Sequence, residues 1–235
     1  MNSITEIVKN ANGRYVGNLI HYYKLVMNAP NANVPYHNIR HMLHVLWEAY
    51  DGGVHMGLSP IELRILLISA IMHDYDHIGK KGDDSLNIER SIRALHENAL
   101  EEDQPLISDI ENIIRATQYP YVETDPSKLT LSQRILRDAD QSQTFSLVWV
   151  QSIVYGLSKE LDITPRKMLE FQVPFLQKLS FYTPWGENKF SPKISARIAE
   201  VKEMIELLEY AEFESAERSK EKIFNQPDAT KKSKP

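Results

Sequence analysis

The chain has 235 residues, a hydrophobic content of 42% and a formal net charge of −5, which is enough apolar material for a sizeable core and makes no electrostatic case for binding nucleic acid or anionic membranes. It contains no cysteine, so disulfides and thiolate metal sites are excluded together, and any metal must be held by imidazole nitrogen and carboxylate oxygen. The opening MNSITEIVKNANGRY lacks the apolar stretch of a signal peptide and no run approaches the ~20 apolar residues of a membrane span, so a cytoplasmic protein without membrane contact is expected.

Taken in chain order, the pattern is a series of helical segments broken by Pro, Gly and Asn, with no repeat and almost no strand alternation. The first runs over about 15–27 and ends in the loop NAPNANVP. The second begins near Tyr36, in PYHNIRHMLHVL, and ends at the Asp-Gly-Gly of 51–53. It carries His37, His41 and His44, and on a helix this i, i+4, i+7 spacing puts three imidazoles on one face. In the third, LSPIELRILLISAIMHDYD, Ser59 is placed to cap and Pro60 to occupy the first helical position. Its interior from Ile61 to Met72 is apolar nearly all round, as expected of a central buried helix. Further helices are expected over 84–101, 107–117, 129–141, 144–159, 164–182 and 192–218. The polar, lysine-rich end NQPDATKKSKP reads as disordered. The expected organisation is one compact all-α bundle over 1–218 with a polar tail over 219–235.

Three polar clusters stand out against this apolar background. The buried helix ends in AIMHDYDHIG, and placing His73, Asp74, Asp76 and His77 there is costly unless something neutralises them. An ordinary solvated helix end is the plain alternative and would be preferred for an isolated His-Asp pair. Two further features weigh against it: the histidine face, and ILRDADQSQT, where Asp138 and Asp140 follow another apolar run. Three helices that must pack together thus each present metal-ligand residue types, which converges on a site assembled between helices. His41, His73, Asp74 and one aspartate of the third cluster would form an N2O2 set with octahedral positions left for water or phosphate oxygens, suited to hard or borderline divalent ions.

The order His…His-Asp…Asp resembles the signature of the HD superfamily of metal-dependent phosphohydrolases, and YHNIRH and HDYDHIG resemble motifs of the class I 3′,5′-cyclic-nucleotide phosphodiesterases. IIRATQ, DADQS and FQVPFL are similar to three later segments of that family, in the family's order, over about 36–185. The resemblance implies an HD-type helical bundle that hydrolyses a cyclic nucleotide to the 5′-monophosphate through a hydroxide bridging two divalent ions (zinc, magnesium, manganese or iron). It places His41, His73, Asp74 and Asp140 at the metal, the last because the family's aspartate follows the alanine. His37 matches the general acid, and His77 and Asn38 match residues that orient ligands and water. Gln172 matches the glutamine that bonds the base and Phe175 the aromatic that stacks on it, with Tyr36 and Gln143 also on the substrate side.

The roles are physically coherent without the family. Two cations sharing a carboxylate lower the pKa of a bridging water, and a histidine one turn from a ligand can protonate the leaving oxygen without competing for the metal. Departures from the family pattern are His44, where an acid is usual, Gln143, where asparagine is usual, and a short segment after HDYDHIG. There, NIERS (Asn87, Glu89, Ser91) looks more like small bacterial HD phosphohydrolases, with Glu89 either beside the metals or simply solvated. Gln172 and Phe175 could equally be helix packing residues, and Tyr182, Pro184 and Trp185 either a pocket rim or a buried aromatic cluster. His21, His55 and His96 read as structural. The alternatives to a phosphodiesterase are a phosphomonoesterase acting on a nucleotide or other small phosphate, and a non-catalytic metal-containing module that binds a nucleotide. An intact ligand set with the acid present favours catalysis. Metal identity, preferred base and oligomeric state are not readable from the sequence.

Overall fold

The structure is a computed structural model that describes residues 3–9 and 18–224, with side chains described as far as residue 211. Helices α1 (Ile4–Lys9), α2 (Ile20–Met27), α3 (Ile39–His55), α4 (Pro60–Met72), α5 (Asp84–Asn98), α6 (Ile107–Arg115) and α7 (Leu131–Gln141) build its first part. A π-helix over Val150–Leu157 leads into the short α8 (Ser158–Glu160), and α9 (Pro165–Lys178), α10 (Pro184–Phe190) and α11 (Ile194–Phe224) follow. No strand occurs among the described residues. None of their helices is long and apolar enough to cross a membrane.

The organising element is α4. Ser59 and Glu62 form a reciprocal capping box and Pro60 starts the helix, so its N-terminus is fixed locally. Every residue from Leu63 to Met72 is buried, and α4 packs against α2, α3, α6 and α7. Within this shell Arg64 donates from Nε and Nη2 to Asp103 at 2.7 and 2.8 Å, and Tyr22 donates to the same carboxylate at 2.6 Å, so the charge carried into the core is paired. A second, smaller core gathers Trp149, Val154, Leu169, Leu176 and Val201 from the π-helix, α9 and α11. Phe145 touches both cores.

Several expected boundaries move. Residues 15–17 of the expected first helix lie outside the described residues, and α2 begins at Ile20. The second helix starts at Ile39 rather than near Tyr36, because Asn38 has an extended backbone and its side chain caps the helix by accepting from Arg40 N. His37 therefore precedes the helix, and only His41 and His44 share it. The expected helix over 144–159 is a 3-10 turn, a break at the extended Ser146, and the π-helix. The wider π turn sets Ile153 and Leu157 together on the cavity described below. Helix α10 was not expected, although Thr183 accepts from Gly186 N and Pro184 follows it, an ordinary helix start. At the far end α11 continues to Phe224, so 219–224 of the expected tail are helical. The remainder of that tail, 225–235, lies outside the described residues.

Candidate metal centre and substrate cavity

Three segments bring the polar clusters to one point: the first turn of α3 supplies His41, the end of α4 supplies His73 and Asp74, and the last turn of α7 supplies Asp140. His41 Nε2 lies 3.2 Å from Asp74 Oδ2, 3.1 Å from Asp140 Oδ1 and 3.4 Å from His73 Nε2. His73 Nε2 lies 3.1 Å from Asp74 Oδ2 and 3.9 Å from Asp140 Oδ1. Donors held at about 2.1 Å from a common divalent ion stand about 3.0–3.4 Å apart when adjacent and about 4.2 Å apart when opposite. The four side chains are spaced accordingly. Asp74 Oδ2 is buried and accepts no hydrogen bond, which leaves an anionic oxygen in want of a cation. His73 Nδ1 lies 2.9 Å from the carbonyl of Ala70 and donates to it, which fixes the tautomer and turns the Nε2 lone pair to the cluster.

The electrostatics point the same way. Burial pulls the His41 pKa down, but the adjacent carboxylates of Asp140 and Asp74 outweigh it and hold it at about 10. Asp74 is raised by burial yet ends well below the usual carboxylate range, chiefly because of His73 and His37 beside it. The pocket demands positive charge, which a proton supplies weakly and a divalent ion supplies well.

Other expected site residues fall into two groups. His37, Tyr36, His77, Gln172 and Phe175 line a cavity of about 560 Å³ that opens beside the cluster, within the range of small-molecule sites. His37 Nδ1 is 2.5 Å from Glu160 Oε2, and its ring stacks on His77 with centroids 3.7 Å apart. Burial, then the charge of His37, pulls His77 down to about 4, so it is neutral near pH 7. The Gln172 amide makes only long contacts, 3.4 Å from Thr144 Oγ1 and 3.5 Å from Met168 Sδ.

The second group lies away from the cavity. Asn38 is a helix cap: its Oδ1 accepts from Arg40 N and its Nδ2 donates to Val34 O, so the amide is spent on the backbone rather than on ligands or water. Gln143 is buried behind the wall and donates to Ser146 Oγ, because the 3-10 turn after α7 rotates it inward and leaves Gln141 and Thr144 on the cavity. Glu89 points outward to Arg115, whereas Asn87 lines the cavity and bonds His77 Nε2, and Ser91, one turn on along α5, bonds the Met72 carbonyl. Asp138 is turned to Thr183 and Tyr182, accepting from both backbone amides. His44 bonds Ser142. Trp185 is core and donates to Asp51, whereas Tyr182 lines a smaller cavity of about 360 Å³ that none of His41, His73, Asp74 and Asp140 lines.

Two residues of the site are invisible as motifs. Asn31, in the loop before α3, donates to the carbonyls of His37 and Asp74 at 2.6 and 2.7 Å and accepts from Asp76 N, tying the histidine segment to the end of α4. Glu160, in α8, accepts from the backbone amides of Tyr36 and His37 as well as from the His37 ring. Burial raises Glu160, but the His37 hydrogen bond and charge hold it below the usual carboxylate range. The chain matches no protein-family model and no curated protein sequence.

Proposed function

We propose that the chain is a metal-dependent phosphoric-ester hydrolase of the HD type, acting on 3′,5′-cyclic nucleotides. The observation that carries the reading is the convergence of His41, His73, Asp74 and Asp140 at ligand spacing around an oxygen with no hydrogen bond, beside a cavity of nucleotide size. These four residues would hold the metal. Divalent ions so held supply an activated water near neutral pH and offset the charge of the phosphate.

The chain's own groups do the rest. His37 gives its Nδ1 to Glu160, so its Nε2 is the nitrogen left to carry a proton to the leaving oxygen. Glu160 fixes the position of that ring through the two backbone amides as well as the imidazole, which keeps the acid in register with the cluster. Asn31 holds the same segment against the Asp74 turn. Gln172, with its amide weakly engaged, bonds the base edge, and Phe175, one turn on, covers the base face. Ile153, Leu157 and Met168 are among the apolar residues of the wall.

The test is turnover of bis(p-nitrophenyl) phosphate and a panel of cyclic nucleotides, with nucleoside monophosphates as the comparison, by protein loaded with manganese, magnesium or zinc. Hydrolysis of both is expected. Hydrolysis of nucleoside monophosphates alone would move the reading to a phosphomonoesterase, and metal binding without any turnover would move it to a binding module.

A further inference from the structure

One feature of the cavity has no use in hydrolysis of a cyclic mononucleotide. Lys80 and Lys81 lie on its rim, three and four residues after His77, and both are exposed. Neither amine has a hydrogen bond or ion pair among the described residues. The acids around them are already engaged. Asp83 Oδ1 accepts from Ser85 N at 3.0 Å, Asp84 accepts from Tyr119 N at 2.7 Å and Asn87 Nδ2 at 3.2 Å, and Glu160 holds His37.

The backbone carrying the pair is anchored. Gly79 has φ +63°, a conformation that side-chain-bearing residues rarely adopt, and a Cβ there would stand 2.9 Å from Val34. Gly79 N donates to His77 Nδ1 at 3.0 Å, and Lys81 N donates to the Glu160 carbonyl at 2.9 Å. The residue that positions His37 thereby also positions the lysine segment.

The placement rests on the hydrolase reading above. With the reacting phosphate at Asp74 and Asp140 and the proton delivered by His37, the side of the cavity beyond His37 and His77 receives the leaving group. A cyclic mononucleotide brings one negative charge, which the metal cluster takes, and needs no cations there. We infer that Lys80 and Lys81 form a second phosphate subsite on the leaving-group side, so that the same site also takes nucleotides carrying two phosphates and binds them more tightly than those carrying one. Ammonium groups suit this role as point charges against phosphate oxygens, and a rim position lets them capture the anion before it is desolvated. The second phosphate can be a 3′-phosphate on the same sugar or the terminal 5′-phosphate of a dinucleotide, and both are monoesters that present the same dianionic chemistry to the lysines.

The full chain is titrated calorimetrically, with calcium as the divalent ion, against four probes: a nucleoside 5′-monophosphate, the corresponding 3′,5′-bisphosphate, a dinucleotide, and its 5′-phosphorylated form. The second phosphate should tighten binding about tenfold, the size of one good charge-assisted contact. A gain with the bisphosphate only assigns the second phosphate to the same sugar, and a gain with the phosphorylated dinucleotide only assigns it to a longer substrate. In Lys80→Ala/Lys81→Ala the gain should vanish, and in Lys80→Arg/Lys81→Arg it should persist. Equal affinities within each pair of probes in the unaltered protein, or a gain that survives the double alanine change, overturns the inference. Turnover of bis(p-nitrophenyl) phosphate, which has no second phosphate, tests the hydrolase reading separately, and its failure leaves the binding comparison intact.

Discussion

Glu160 grips His37 across 123 positions of sequence, with Oε2 2.5 Å from the ring Nδ1 and Oε1 accepting from the His37 backbone amide at 3.0 Å. A carboxylate that holds both the backbone and the ring of one histidine removes its rotational freedom. On the proposed reading this sets the direction in which the remaining nitrogen delivers a proton. Glu160→Gln, which keeps the shape but weakens the ring contact, is expected to lower kcat on cyclic nucleotides by about tenfold to a hundredfold, part of the ~10²–10⁴-fold that general acid catalysis contributes. Metal content, measured by elemental analysis, should stay the same. A loss of metal in parallel with activity would assign Glu160 to the metal site instead.

His37→Ala is expected to lose about 10²–10⁴-fold on substrates with poor leaving groups while retaining metal. Bis(p-nitrophenyl) phosphate releases p-nitrophenolate, which needs little protonation, and its hydrolysis should be largely spared. Equal losses on the two substrate types would show that His37 does something other than donate a proton.

Asp74→Ala is expected to empty the metal site and abolish turnover, because Asp74 Oδ2 stands within 3.2 Å of both His41 Nε2 and His73 Nε2 and no other carboxylate among the described residues does so. The check is metal stoichiometry of the purified variant. Full metal content would remove Asp74 from the ligand set.

Gln172→Ala is expected to reduce kcat/KM for nucleotides by about fivefold to tenfold, the size of one net hydrogen bond, and to leave bis(p-nitrophenyl) phosphate almost unaffected. The comparison discriminates because only one substrate has a base. Proportional losses on both would make Gln172 a packing residue.

The buried pair of Arg64 and Asp103 makes a prediction independent of function. Both side chains are within 2% of full burial, and Asp103→Ala would leave the guanidinium only the exposed Glu102 carboxylate at 3.7 Å. Urea unfolding should show a loss of about 3–5 kcal/mol, the usual cost of breaking such a pair from one side. A loss below ~1 kcal/mol, of the kind seen at exposed pairs, would mean that water reaches Arg64.

Much of the helical layout was legible from local chemistry. Ser59, Pro60 and the apolar run to Met72 specify α4 through a cap, a fixed φ and the absence of a polar face, all properties of neighbours in the chain. The polar residues at the end of that helix were conspicuous for the same reason, since a buried helix that closes on His73 and Asp74 must neutralise them. Local chemistry failed where a residue's partner is distant. Asn31 sits within the loop NAPNANVP and Glu160 just past the expected helix over 144–159, where short polar residues and glutamates are common and nothing adjacent marks them.

Residue order and composition carry the helical class, the buried central helix, the absence of thiolate ligands, and the set of imidazoles and carboxylates open to a metal. Which of them meet is set by how the helices pack. Asp140 and Asp138 lie two positions apart on α7, and their side chains project in different directions, one to His41 and the other to Thr183. Asn38 and Gln143 were drawn off to a helix cap and a buried turn, while Asn31 and Glu160 were brought in from loops and helices remote in sequence. The physical reason is that periodicity reports only which face of an element is apolar. The rotation of each helix about its axis, and hence which polar side chain reaches the common centre, is set by packing against neighbours that no local pattern encodes.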